Sequence, residues 1–231
     1  MYIKDFGLFF KFLICYNLTM NKGDIMEKIK SITIEDNESW LRQISTSVDI
    51  ENDKDLKRNI EVLDTFCKEN DVMAMAAVQL GIPKRLVYLK NTNLEIINKL
   101  QNDTDTEEER NYNEARILIN PVVINREGLT EYWEACASCL NNCGRVLRPY
   151  KIDLEYYDVE GIKYTDTFEG FEATVLSHEL DHLDGILHID IAEEVLVMEK
   201  EERKKWRQTH QYKIYSEFGN YEELKHEQIN K

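Results

Sequence analysis

The 231-residue chain is short of prolines, glycines, basic side chains and long apolar runs, and each shortage excludes something. Three prolines and nine glycines leave no room for a collagen-like repeat or a proline-rich linker architecture. No run of about 18 apolar residues occurs, which argues against a transmembrane helix and a membrane partner. Lysine and arginine number 29 against 44 aspartates and glutamates, a formal net charge of −15. The chain as a whole therefore lacks the basic face of a DNA- or RNA-coating protein. Five cysteines, an odd number, do not make a secreted disulfide framework. Histidine is also scarce, yet three of the five histidines, His178, His182 and His188, fall in one short stretch. What remains is 42% hydrophobic and 32% charged, enough apolar material for a packed core. An acidic, cytoplasmic globular protein is expected.

The first 25 residues read differently from the rest. Phe6 to Tyr16 is apolar and aromatic but broken by Lys11, and no small-residue cleavage pattern follows, so a secretory signal is disfavoured. Residues 1–25 are read as an extension outside the domain or as a misassigned start, with translation beginning at Met26. Residues 53–70 have the periodicity of an amphipathic helix, with Leu56, Ile60, Leu63 and Cys67 on one face. An apolar segment, Met73 to Leu80, is ended by Gly81-Ile82-Pro83, and Arg85 to Leu89 reads as a buried strand. Residues 91–116 are polar and acidic, a charged surface insertion. Ile117 to Ile119 and Val122 to Ile124 read as two strand pieces flanking Asn120-Pro121. Ile152 to Tyr157 and Ile162 to Phe168 alternate about Asp158-Val159-Glu160-Gly161, which predicts a hairpin. From Phe171 the period turns helical, with Gly185 as its stop, and residues 193–211 read as a C-terminal helix. Without repeats or a clear linker, residues 26–231 are expected to make a single α+β domain.

His178-Glu179-Leu180-Asp181-His182 is an H-E-x-x-H motif. On a helix, positions i and i+4 share a face, so both imidazoles can hold one metal while Glu179 handles a proton beside them. Two histidines are not enough, and the sequence offers two routes to a third ligand. Forward, His178-Glu179-x-x-His182-x-x-Gly185-x-x-His188 fits the metzincin protease pattern, with His188 as ligand and an endopeptidase as the function. That pattern also wants a methionine turn beneath the metal, and Met198 falls in what reads as a charged helix. Backward, Cys136 would supply a thiolate and leave one position open for water. Cys136, Cys139 and Cys143 are one short of an iron–sulfur ligand set, and the last two are read as incidental.

Further motifs bear on the choice. Glu134-Ala135-Cys136-Ala137-Ser138 resembles the E-G-C-L-S motif of peptide deformylases. His178 to Gly185 is similar to their H-E-x-D-H-L-x-G motif at every fixed position, and Met73 to Gln79 resembles G-x-G-L-A-A-x-Q at Ala76, Ala77 and Gln79. Gly144, Val146, Arg148, Pro149, the Glu169-Gly170-Phe171 run and Asp190 continue the likeness. It spans roughly residues 28–192, with the three motifs in the family's order.

The resemblance implies antiparallel strands packed around a central helix carrying H-E-x-x-H, with a helix at the C-terminus. It implies that Cys136, His178 and His182 bind one divalent metal, Fe(II) first, with Zn(II) or Ni(II) as alternatives. Glu179 would be the general base and acid, and the Gln79 side chain and the Ala137 backbone N–H the oxyanion donors. Asp181, Glu134 and Arg148 would support the ligands, and Met73, Ala74, Met75, Ala135 and Val175 would line the substrate cleft. The implied reaction is removal of the formyl group from N-formylmethionyl nascent chains, with formate as product. Val72, Ala74 and Ala135 stand where the family has glycines, which bears on how closely a substrate backbone can approach. A relative that binds formyl peptides without turnover is the non-enzyme alternative. Lys200, Arg203, Lys204, Lys205, Arg207 and Lys213 outnumber Glu201 and Glu202, so this segment is a candidate contact with ribosomal RNA.

Overall fold

A computed structural model describes residues 29–90 and 115–230. The expectations for residues 1–25 and for most of the 91–116 insertion lie outside them. Chain contacts group residues 31–231 into one compact unit, described here.

The unit opens with α1 (Ile34–Leu41), whose start is closed reciprocally: the Asp36 N–H donates to Thr33 Oγ1 and the Thr33 N–H to Asp36 Oδ2. Helix α2 (Leu56–Glu69) is the expected amphipathic segment; it buries Leu63 and Cys67 and leaves its lysines and glutamates outside. Strand β1 (Ala74–Ala76) runs into a 3-10 turn, Ala77–Leu80, and β2 (Leu86–Lys90) returns antiparallel to β1. Strand β3 (Ala115–Ala135) follows, then a second 3-10 turn, Ala137–Cys139, and β4 (Asn142–Arg148), β5 (Lys151–Tyr157) and β6 (Lys163–Glu169). Helix α3 (Gly170–Leu183) carries the H-E-x-x-H motif. Short α4 (His188–Ile191), β7 (Glu194–Val197), α5 (Lys200–Thr209), β8 (Lys213–Asn220) and α6 (Tyr221–Ile229) complete the described chain.

All eight strands described belong to one antiparallel sheet organised on β3. The two strand pieces read from sequence are one strand with a bulge at Asn120-Pro121. Asn120 sits at φ +52°, and its side-chain amide exchanges hydrogen bonds with the Val48 backbone at 2.7 and 2.9 Å, which holds this rare conformation. The bend lets β3 pair with β2 before it and β5 after it, then with β8 and β4. Ala115 and Arg116, assigned from sequence to the insertion, are already in β3. The predicted hairpin forms, with Asp158 Oδ1 accepting from Glu160 and Ile162 N–H across the turn.

Helix α3 buries Leu176, Leu180 and Leu183 against Val87, Leu89, Leu118, Ile152, Leu154 and Phe168 of the sheet. Its stop is Gly185, at φ +73°, where a Cβ would run into the Arg42 carbonyl. The C-terminal helix expected over residues 193–211 is corrected: residues 194–197 form strand β7 on β4, and the helix begins at Lys200. Pairing with a neighbouring strand outweighed a helical pattern of only one turn. Met198, placed by the same reading in a charged helix, is buried beside Trp133 and Cys143. No helix among the described residues is long and apolar enough to cross a membrane.

Candidate metal centre

Two turns and one helix deliver the candidate residues to one place. The turn after β1 swings Gln79 back beneath the strand, so that the Ala76 N–H donates to Gln79 Oε1 at 3.1 Å. The same N–H donates to Glu179 Oε2 at 2.7 Å, tying the glutamate of α3 to the strand. Cys136 leads out of β3 and caps the second turn, its sulfur accepting the Ser138 N–H at 3.4 Å. Gln79 Nε2 donates to Cys136 Sγ at 3.4 Å and to Ser138 Oγ at 3.0 Å. His178 and His182, one helical turn apart, present their rings 4.9 Å from each other. The ligand atoms of Cys136, His178 and His182 lie within 4.8 Å of one another, and Cys136 Sγ is 3.2 Å from His182 Nε2.

A buried ionic lattice stands under these groups. Arg148 grips Glu134 through two bonds of 2.8 and 3.0 Å and reaches Asp181 at 2.5 Å. Glu134 Oε2 accepts from His178 Nδ1 at 2.8 Å. That contact fixes the ring and leaves its Nε2 for the cluster. Burial pushes the Glu134 carboxyl upward, but Arg148 and His178 outweigh it and hold it well below the usual carboxylate range. Burial pushes His178 down, and Cys136 and Glu134 together raise it well above its usual value. Glu179, 6% exposed, is pushed up to about 7, first by burial and then by the neighbouring Cys136 against the opposing His178.

Of the other residues singled out, Met73 and Ala137 are exposed, Ala74, Ala135 and Val175 are half-buried, and Met75 is buried. Val175 packs on the core beneath α3. His188 is outside the ligand cluster. It is 1% exposed, and its Nε2–H donates to the Asn142 carbonyl at 3.3 Å. Gly144 makes room for it, since a Cβ there would sit 3.1 Å from His188 Cδ2. Cys139 and Cys143 are free and buried. Ser138 and Ala76 belong to the quoted motifs, but the sequence assigned no role to the Ser138 hydroxyl or the Ala76 N–H. Those roles emerge only when the fold brings the two groups to Gln79 and Glu179.

One cysteine sulfur and two imidazoles converging in a buried cluster, with a carboxylate beside them, are the donor set of a metal-dependent hydrolase. The profile of the Polypeptide deformylase family matches residues 29–197. The peptide deformylase of Pelagibacter ubique is 32% identical over 163 residues, covering 70% of this chain and 85% of that protein. Peptide deformylase 2 of Clostridium acetobutylicum is 35% identical over 156 residues, covering 68% and 91%. Among solved structures, a probable peptide deformylase from Synechococcus phage S-SSM7 matches with a TM-score of 0.56 at 29% identity, covering 71% of this chain and 99% of that one. The peptide deformylase of Synechococcus elongatus in complex with actinonin matches with a TM-score of 0.57 at 25% identity, covering 79% and 85%. The chain belongs to the peptide deformylase family, metal-dependent hydrolases that remove the N-formyl group from nascent peptides.

Proposed function

We propose that Cys136, His178 and His182 hold one divalent metal and that Glu179, Gln79 and Ala137 carry out deformylation around it. The observation that carries this reading is the convergence of the three ligand atoms within 4.8 Å, with the Glu179 carboxylate held on the Ala76 N–H. The donor set, a soft thiolate with two imidazoles, suits Fe(II) first and Zn(II) or Ni(II) next. When bound, the ion supplies Lewis acidity, making a water more acidic and polarising the formyl carbonyl.

The chain's own groups do the rest. Glu179 takes the proton of the attacking water and delivers it to the leaving amine. Burial raises its pKa from the ordinary carboxyl value, which suits a group that must both take and give a proton. The Gln79 side-chain N–H directed toward Cys136 and the backbone N–H of Ala137 receive the negative charge that develops on the formyl oxygen. Glu134 holds His178 through Nδ1, while Arg148 fixes Glu134 and Asp181, so the ligand-bearing face of α3, the central helix of the site, keeps its orientation. Among the described residues β1 pairs with β2 alone, and its outer edge, Ala74 and Met75 with Met73 just before the strand, is the extended seat for the peptide, with Ala135 and Val175 at its sides. The substrates are N-formylmethionyl nascent chains in the cytoplasm, and the exposed Lys204 and Lys205 of α5 are the contact with ribosomal RNA.

Formate release from formyl-Met-Ala-Ser, measured anaerobically with Fe(II) or Ni(II), tests the reading. Release is expected from this substrate and no internal cleavage from its unformylated counterpart. Internal cleavage would favour the endopeptidase, and binding without release the non-enzyme alternative.

A further inference from the structure

Gln79 is useful as an oxyanion donor only if its amide points one way. Its carbonyl end is set by the Ala76 N–H, since a flipped amide would face donor with donor. The Nε2 end has two hydrogens. One meets Ser138 Oγ at 3.0 Å, and the other is directed at Cys136 Sγ, 3.4 Å away, on the ligand side. Ser138 is fully buried in the second 3-10 turn, two residues beyond Cys136, so its hydroxyl is held as firmly as the ligand loop itself.

We propose that Ser138 is a positioning residue for the deformylation reaction: its hydroxyl accepts one N–H of Gln79 and thereby aims the other at the reacting oxygen. This rests on the reading of Gln79 as an oxyanion donor. Without it the amide would be held by the Ala76 N–H at its carbonyl end and would keep more play about the last side-chain torsion, which is broad for an amide. The Ser138 main chain has a separate task, donating its N–H to the Cys136 sulfur, and that contact survives any change of side chain. The hydroxyl thus acts through Gln79 and not through the metal ligand.

The test is a double-mutant cycle on the metal-loaded protein, with metal content, melting temperature, kcat and KM read for each variant. Deleting an oxyanion donor costs about 100-fold in kcat, and misaiming one costs a fraction of that, about 10-fold. Ser138→Ala is therefore expected to lower kcat about 10-fold with KM, metal content and melting temperature little changed. Ser138→Cys, a weaker acceptor of similar size, should fall between. In a Gln79→Ala background, Ser138→Ala should change nothing further, because the group it aims is gone. If instead the two losses multiply, or kcat falls only in step with metal content, the positioning role is wrong. If Gln79→Ala alone leaves kcat intact, it is the oxyanion assignment that fails, and the inference with it. A Ser138→Ala protein that does not fold would leave Ser138→Cys, whose kcat must then drop with metal retained, or the role is lost.

Discussion

Glu179 illustrates what the site asks of a single residue. A buried carboxyl pushed from 4.5 up to about 7 resists ionisation in the folded chain. Between those values the folded state binds more protons than the unfolded one, so this group's contribution to stability falls as pH rises through that window. The displacement corresponds to about 3 kcal/mol. Glu179→Gln in the metal-free protein should therefore unfold at higher denaturant concentration than wild type above pH 7, with the difference vanishing below pH 4.5. A bound cation favours the charged form, so the acid limb of kcat/KM should lie at or below 7. His188 and Cys136 separate the two ligand routes that the sequence left open. Cys136→Ser should strip the metal, whereas His188→Ala should keep it, as read by metal content after desalting. The reverse pattern would reassign the ligands. The candidate pair His178 and His182, with Glu179, is legible from spacing alone, because an i, i+4 pair on a helix face constrains distance. Cys136 is reached only through the motif around it, since it lies 42 positions before His178 and no periodicity links them.

At the scale of elements, the C-terminal segments depart furthest from what the sequence suggests. Strand β8 has no buried residue and reads as polar, yet it pairs with β3 along Glu127–Glu131. Such an edge strand is specified by its neighbour's free backbone groups and not by its own pattern. Helix α6 then closes over the end of the sheet, with Tyr221 buried on Leu129 and Leu147 and its hydroxyl donating to the Leu147 carbonyl at 3.0 Å. Tyr221→Ala should cost about 3 kcal/mol of unfolding free energy in denaturant titration, the scale of an aromatic deletion from a packed site. A negligible change would mean that α6 adds little to the fold. Helix α5 is more divided than its composition suggests. Arg207 turns inward to the Trp133 carbonyl at 2.9 and 2.6 Å, whereas Lys204 and Lys205 remain outside. The ribosome contact is therefore tested by Lys204→Glu with Lys205→Glu. Co-sedimentation with ribosomes should fall, and equal binding would discard the contact without disturbing β8.

For the whole molecule, the excess of acid is partly absorbed by paired carboxylates. Glu134 is held low by Arg148 and His178 against its burial, Asp53 by a bond to Lys84, and Asp190 by Arg42 against its burial. Groups held low in the folded state stabilise it fully above their ordinary values of 4.5 for glutamate and 3.8 for aspartate, and that contribution is lost as pH falls below them. Melting temperature should accordingly decline steeply below about pH 4.5, and Arg148→Met should unfold at markedly lower denaturant concentration, because it leaves Glu134 buried without its partner, a loss of about 3–5 kcal/mol. The α+β class, the hairpin, α2 and α3 were readable from residue periodicity, since each buries one regular face. The long bent β3 was not, because it depends on a partner distant in sequence, Val48 for Asn120, and the Glu134–Arg148 pair under the candidate ligands was legible only through the family resemblance.

The central claim is that one metal, bound by Cys136, His178 and His182, works with Glu179 as the proton carrier. It is tested most directly by measuring metal content and formate release together on the same anaerobic preparation of wild type and Glu179→Ala. The expected result is one metal per chain in both, with formate from formyl-Met-Ala-Ser released by the wild type alone. Sustained release by Glu179→Ala with its metal in place would contradict the account.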